Sequence, residues 1–297
     1  MFILILLFTS CAQEDIVQPD NLILQDTNAE KKADITISPS GDLTGITDAN
    51  TLENALIALP PEGLIKLNNG TFYINRTLVA PEGFNGSISG EGMDKTEIIP
   101  VGDDVNPFSI FNNNSVALFF PKPQGRVEIS KLAITLPMGF VSDIGSFGAN
   151  FLNVFISIEL GSDNSDTEFN KIRLTGALLP SSSNSPLVYQ PLGGIRVSGN
   201  QDGLFPFPPS VSSGGTHRVI KSEISKIGID AIVHSYFKNA NIRVSNNTLF
   251  DIKQTVTRVL DGSNVIISNN SIDATSFGAL VVTQEGFPLN GNTSSVV

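Results

Sequence analysis

Between Ala231 and Val282 the chain repeats itself. Asn241-Ile242-Arg243-Val244-Ser245-Asn246-Asn247-Thr248-Leu249 returns 23 residues later as Asn264-Val265-Ile266-Ile267-Ser268-Asn269-Asn270-Ser271-Ile272. A second set, Ala231-Ile232-Val233-His234, Thr255-Val256-Thr257-Arg258 and Ala279-Leu280-Val281-Val282, recurs every 24 residues. A fixed period of this size marks architectures in which each unit must bury its apolar side against a neighbouring copy. The Val, Ile and Thr runs are broken by Asn pairs, Gly or Asp and lack helical spacing, so each period reads as strand, turn, strand. One period suits one rung of a parallel stack, with neighbours ~4.8 Å apart.

The rest of the chain is compatible with that reading. Charged residues make up 16% of 297, Trp is absent, and 26 Gly with 17 Pro supply turns, a mixture that suits an all-β chain. The net charge of −11 argues against nucleic acid as a partner. It also disfavours a strongly anionic polymer unless basic residues gather locally. Residues 2–8 are uninterrupted apolar, too short to span a bilayer and placed where a secretion signal has its apolar core. Cys11 is the single cysteine, so no internal disulfide forms. A lone thiol directly after that run and Thr9-Ser10 resembles a bacterial lipoprotein signal, in which residues 1–10 are removed and Cys11 is lipidated. The sequence departs from that pattern in two ways: no Lys or Arg precedes the run, and Phe8 stands at a position more often aliphatic. An ordinary signal peptide with an incidental cysteine is the alternative. Gln13-Glu14-Asp15 resembles the acidic tag of some surface-exported lipoproteins. The resemblance implies an outer-membrane or cell-surface protein anchored through lipid at Cys11, with secreted or periplasmic location as the alternative. Residues 11–33 are polar, acidic and without period, a tether.

A domain is expected over 34–284, followed by a polar tail over 285–297. It opens with a helix over 48–59: Thr47 or Asp48 caps it, Leu52, Ala55, Leu56 and Leu59 share one face, and Pro60-Pro61 stops it. A short amphipathic helix before a stack covers a first rung that would otherwise expose its core. Next come Gly63-Leu64-Ile65-Lys66-Leu67, Gly70-Thr71-Phe72-Tyr73, Thr77-Leu78-Val79 and Ser87-Ile88-Ser89-Gly90-Glu91-Gly92-Met93-Asp94-Lys95-Thr96. The Gly90/Gly92 pair lies between strands with no helix after it, so it is a turn and not a phosphate loop. This order resembles the first rungs of the right-handed parallel β-helix (pectin-lyase-like) superfamily. The resemblance, spanning about Ile46 to Thr283, implies an all-β, single-stranded right-handed parallel β-helix with a short N-terminal capping helix. It is nearly silent on activity.

A polar pair at one turn runs through Ser130-Lys131, Asn170-Lys171, Lys221-Ser222, Asn246-Asn247 and Asn269-Asn270, with steps of 40, 51, 25 and 23 residues. The long steps carry inserted loops. Asn246-Asn247-Thr248 and Asn269-Asn270-Ser271 match glycosylation sequons, but stacked Asn side chains satisfying turn backbone groups are the structural reading.

Strand parity assigns the faces. In Ile156-Ser157-Ile158-Glu159-Leu160 the polar residues alternate with apolar ones, so Ser157 and Glu159 face water. Carried from rung to rung, Ile158, Ile195, Val233, Thr257 and Val281 form one inward column, and Leu160, Val197, Ser235, Val259 and Thr283 another. The outward row is then Glu159, Arg196, His234, Arg258 and Val282. A register one residue away buries Arg258, a prohibitive cost without a partner.

On such a row an imidazole between two guanidiniums has a lowered pKa, because like charge disfavours its protonated form. That suits His234 as a general base near neutral pH. Arg196 and Arg258 would bind a uronate carboxylate and stabilise the enolate-like charge formed when the proton beside it leaves. This is β-elimination on a uronic-acid polymer. Insertions at 178–192 and 200–215 flank the Arg196 strand, and their Tyr189, Phe205 and Phe207 offer faces for sugar rings, with Glu159 a further substrate contact. The plainer reading is a solvated charge ladder, with Glu159 and Arg196 as a surface pair and the aromatics packed within their own loops.

Two further motifs bear on the chemistry. Gly102-Asp103-Asp104 lies before the central rungs and no Gly-His-Gly exists, so the polygalacturonase pattern is missing; hydrolysis also needs two carboxylates, and the row offers only Glu159. His234-Ser235, Asn246-Asn247-Thr248 and Arg258 resemble the β-helix alginate and chondroitin lyases, which usually carry Lys where His234 stands. No acidic cluster for a metal is evident, so no cofactor is expected, and Ca²⁺ would lack a ligand set. The function expected is that of a monomeric polysaccharide-binding or polysaccharide-cleaving surface protein. The alternative is a non-catalytic adhesin, scaffold or glycan binder.

Overall fold

Strands of two to ten residues account for most of the chain that the computed structural model describes: residues 34–101, 115–137, 154–160, 165–177, 193–199, 212–213, 215–235, 237–238, 240–253, 255–260, 264–275 and 278–283. These residues fall within one compact unit, Lys32–Val297. The chain is mostly β, and its strand pairs are parallel. The backbone of one sheet runs through Asp34–Ile37, Gly63–Leu67, Gly86–Ser89, Arg126–Thr135, Asp166–Thr175, Thr216–Ile220, Asn241–Ser245 and Asn264–Ser268. Further strands of the same sheet, among them Glu223–Ile227, Thr248–Ile252 and Ser271–Thr275, continue it beyond the bends. The second sheet orders Leu78–Val79, Ser115–Pro121, Val154–Glu159, Gly193–Ser198, Ile232–Ser235, Thr255–Leu260 and Gly278–Thr283.

The chain visits the sheets alternately, and each strand pairs with its counterpart on the next pass. Asn241 lies opposite Asn264 and Asn246 follows in the same frame as Asn269, so the sequence repeat is the pairing register. The passes are unequal: Thr216 pairs with Asn241, and Asn241 with Asn264. On the second sheet Val233 pairs with Arg258, and Arg258 with Val281. The uniform 24-residue period expected for that strand is therefore the average of a longer and a shorter pass.

The inward side chains of both sheets merge into one apolar core that includes Ile129, Phe169, Val219 and Val244 from the first sheet and Ile156, Ile158, Ile195 and Val197 from the second. The helix covers one part of it, spanning Ile46–Ala58 rather than 48–59, with Ala49, Leu52, Ala55 and Leu56 buried and Leu59 packed alongside. Its start also differs from expectation. Gly45 precedes it with φ 76°, and neither Thr47 nor Asp48 acts as the cap. Asp42 accepts from the Thr44 hydroxyl at 2.7 Å, from the Thr47 N–H at 3.0 Å and from the Thr44 N–H at 2.9 Å, and these bonds, the hydroxyl's foremost, hold its carboxyl below the usual range. Asp48 is buried instead, accepting from the Ser40 N–H at 2.8 Å and the Tyr73 N–H at 2.9 Å, so it ties the helix to the neighbouring strand.

The bends of the first sheet repay the expectation of stacked polar side chains. Asn247 Oδ1 accepts from the Ser222 N–H at 2.9 Å, and Asn247 Nδ2 donates to the Val219 carbonyl and to Asn270 Oδ1, each at 2.9 Å. Asn270 repeats the pattern, accepting from the Asn247 N–H at 3.0 Å and donating to the Val244 carbonyl at 2.9 Å. Asn247 is 2% exposed, so its bonds are made away from water. Asn247→Ala should then cost about 2–4 kcal/mol in denaturant unfolding, because it strands buried groups on both sides. Asn264→Ala, which removes only an exposed bond to Asn241, should cost less than about 0.5 kcal/mol. Equal costs would show that the ladder does not hold the bends.

Candidate functional site

On the second sheet the outward row contains Phe119, Ser157, Arg196, Val233 and Arg258 in mutual register, and Val281 pairs with Arg258. Arg196 and Arg258 thus share the row, as the parity argument requires. Three of its expected members do not; one is Val282, which pairs with Val259 while Val281 pairs with Arg258. Glu159 pairs with Ser198, two residues further along, so it does not oppose Arg196. His234 pairs with Val197 and Val259 and lies in the inward column with Ile158, fully buried.

The imidazole is therefore not on the outward row; Val233 takes the place expected for it, and Ser235 moves out of the inward column. The physical reason is a one-residue slip of the Ile232–Ser235 strand, which exchanges its two faces; the pairing of Gly278–Thr283 is shifted by one residue as well. The cost of burying Arg258 fixes the face of its own strand only and does not bind the strand of His234. A neutral imidazole carries no such cost.

Inside, His234 meets His217, the chain's other histidine. His217 is carried by the first sheet in the column of Val127, Thr167 and Ile242, and its Nδ1 shares a 3.0 Å hydrogen bond with Thr167 Oγ1. The two rings face each other across the interior with centroids 6.2 Å apart. Burial, and secondarily the nearby His217, lowers the His234 pKa from 6.5 to about 3.

Arg258 is held by a carboxylate that sequence reasoning passed over. Its Nε lies 2.8 Å from Asp230 Oδ2, while Asp230 Oδ1 accepts from the Thr255 N–H at 3.0 Å. Asp230 is fixed by close packing just ahead of the Ile232–Ser235 strand: its carbonyl accepts from the Gly194 N–H at 3.0 Å. A Cβ on Gly194 would stand 2.2 Å from the Ala231 carbonyl, so only glycine lets the two strands approach here. The signal for Asp230 was present as an acidic residue at a strand start, a place where carboxylates bond backbone N–H groups.

Arg196 is only 3% exposed although its position faces away from the core, and Ser157 beside it is fully buried. Arg258 keeps about a third of its side chain in water. The row thus offers one recessed and one accessible guanidinium, two strand steps or ~10 Å apart. Tyr189, Phe205, Phe207 and Cys11 lie outside the described residues. Among the described residues no group of three or more His, Cys, Asp or Glu gathers closely enough to hold a metal ion.

No protein-family model and no curated protein matches the chain. Among solved structures it is similar to the catalytic domain of Agl-KA, at 12% identity and TM-score 0.38 over 86% of this chain and 44% of that one. It is also similar to the PL6 family alginate lyase AlyGC, at 11% identity and TM-score 0.30 over 84% of this chain and 39% of that one. The chain spans less than half the length of either.

A pH dependence follows from His234. Its folded-state pKa lies below its unfolded one, so the unfolded chain takes up the extra proton first. The stability this residue contributes is complete above about pH 6.5 and is lost as the pH falls toward 3. Unfolding free energies measured across that range should drop by roughly 3–4 kcal/mol more in the natural chain than in His234→Leu. Parallel curves would show that the imidazole is not buried neutral.

Proposed function

We propose that the chain is a right-handed parallel β-helix, exported and lipid-anchored through Cys11, that binds carbohydrate on the outward side of its second sheet without cleaving it. The observation that carries this reading is the shared row of Arg196 and Arg258 along the stacking direction. A guanidinium presents a rigid fork of donors that fits a carboxylate or a pair of hydroxyls, and two such forks in line address successive parts of an extended chain. Tyr189, Phe205 and Phe207, on segments that flank the Gly193–Ser198 strand in sequence, are assigned to stacking against sugar rings. The absence of cleavage rests on His234. The base expected for β-elimination is buried in the core and has no route to a sugar on this face.

Calorimetric titration with oligosaccharides of polygalacturonate and of alginate tests this. Arg196→Lys and Arg258→Lys keep the charge, and so keep Asp230 paired, but lose the fork. Each should weaken binding roughly tenfold, with no growth of the ultraviolet absorbance of unsaturated uronates in any sample. Unchanged affinity in both variants would remove the arginine row from the site, and a rising absorbance would show that the protein is a lyase. Incorporation of labelled palmitate, lost in Cys11→Ser, checks the anchor.

A further inference from the structure

Bends within or just after strands of the first sheet each place one residue in the left-handed region. These are Lys131 at φ 55°, Lys171 at 56°, Lys221 at 52°, Asn246 at 58° and Asn269 at 55°. Asparagine is enriched at such positions because its short side chain bonds the local backbone. Lysine has no such advantage, yet it occupies three successive bends. Ser130 pairs with Asn170 and Asn170 with Ile220, so the three lysines follow one another on adjacent passes, ~4.8 Å apart.

Stacked like charges at that distance repel. All three side chains are exposed, and among the described residues none of them makes an ion pair. Carboxylates are not scarce, since the chain has 29 acidic residues against 18 basic ones. On this face they are taken by other cations: Arg126 lies 2.9 Å from Glu128 and 3.3 Å from Glu168, and Arg218 lies 3.2 Å from Glu168. The lysine column is a strip of uncompensated positive charge on a strongly acidic molecule.

Beside it runs an open cavity of about 430 Å³. Lys131, Lys171, Ser89, Ser130, Asn170 and Arg126 line it together with the carboxylates of Asp34, Glu62 and Glu128, of which Asp34 is paired with Lys66 and Glu128 with Arg126. Ser130 is only 5% exposed, so the hydroxyls and amide form a recessed floor rather than a flat patch.

We propose that the lysine column and this serine–asparagine groove bind an anionic polysaccharide that lies along the stacking direction. Its carboxylate or sulfate groups meet the ammonium groups, and its hydroxyls exchange hydrogen bonds with Ser89, Ser130 and Asn170. The step between passes is comparable to one sugar unit, so an anionic glycan presents charge at the interval of the lysines. A membrane surface fits less well, because it cannot reach a recessed floor. Single-stranded nucleic acid would want aromatic stacking platforms, which the lining lacks. This site uses neither Arg196 nor Arg258 and stands or fails apart from the arginine row.

Affinity electrophoresis of the full chain, in gels cast with polygalacturonate, chondroitin sulfate or neutral dextran, tests the proposal. Lys131→Asn, Lys171→Asn and Lys221→Asn combined place at these bends the residue type already found at Asn246 and Asn269, so the variant should fold. With the arginine row disabled in both proteins by Arg196→Lys and Arg258→Lys, the triple substitution should raise the dissociation constant for both anionic glycans roughly tenfold, and dextran should retard neither protein. The single variant Lys171→Asn should lose a smaller share, and binding of the natural chain should weaken as salt rises. The proposal is overturned if the triple substitution changes nothing in that background, if dextran retards as strongly, or if binding ignores salt. It is equally overturned if vesicles of phosphatidylglycerol bind through these lysines while the glycans do not.

Discussion

In a stack of parallel strands each side chain lies over its counterpart on the pass below, so the register of one strand decides what the next can bury. That register is held at the bends of the first sheet. The left-handed residue bends the chain, and the residue after it reaches to the next pass: Ser222, Asn247 and Asn270 are joined there through backbone N–H groups and carbonyls. Because the bonds run from pass to pass, an error at one bend would propagate to its neighbours. The core columns above and below inherit their order from this line of short hydrogen bonds.

Burial of ionisable groups follows the same logic. Two histidines face each other inside, one from each sheet, and burial there keeps His234 neutral. Arginine has no neutral form to retreat to, so Arg196 and Arg258 stay on the outward row. Arg258 is met by Asp230, whose backbone is held against Gly194 on the preceding pass. The strand register thus separates a residue that can shed its proton from residues that cannot.

The two sheets present different chemistry outward. The second sheet concentrates guanidinium groups around a row in which Ser157 and Arg196 are recessed. The first carries paired charges, Arg126 with Glu128 and Glu168, and leaves ammonium groups only at its bends. For a chain of net charge −11, positive groups arranged in lines along the stacking direction are the places where an anionic or polyhydroxylated chain would gain most.

The repeat determined that strands would pair in parallel and in which frame: Asn241 over Asn264 is written in the sequence before any coordinates. The capping helix and the Asn ladder were legible for the same reason, since each depends on residues close in number whose local chemistry leaves few options. The position of His234 was not legible. It depended on whether the pass between Val233 and Arg258 is one residue longer than the average repeat, and bend geometry settles such a difference. The Asp230–Arg258 pair and the meeting of His217 with His234 were likewise decided by the tertiary structure. Local sequence carries the alternation of faces along a strand; only packing against the neighbouring strands selects which alternation is used.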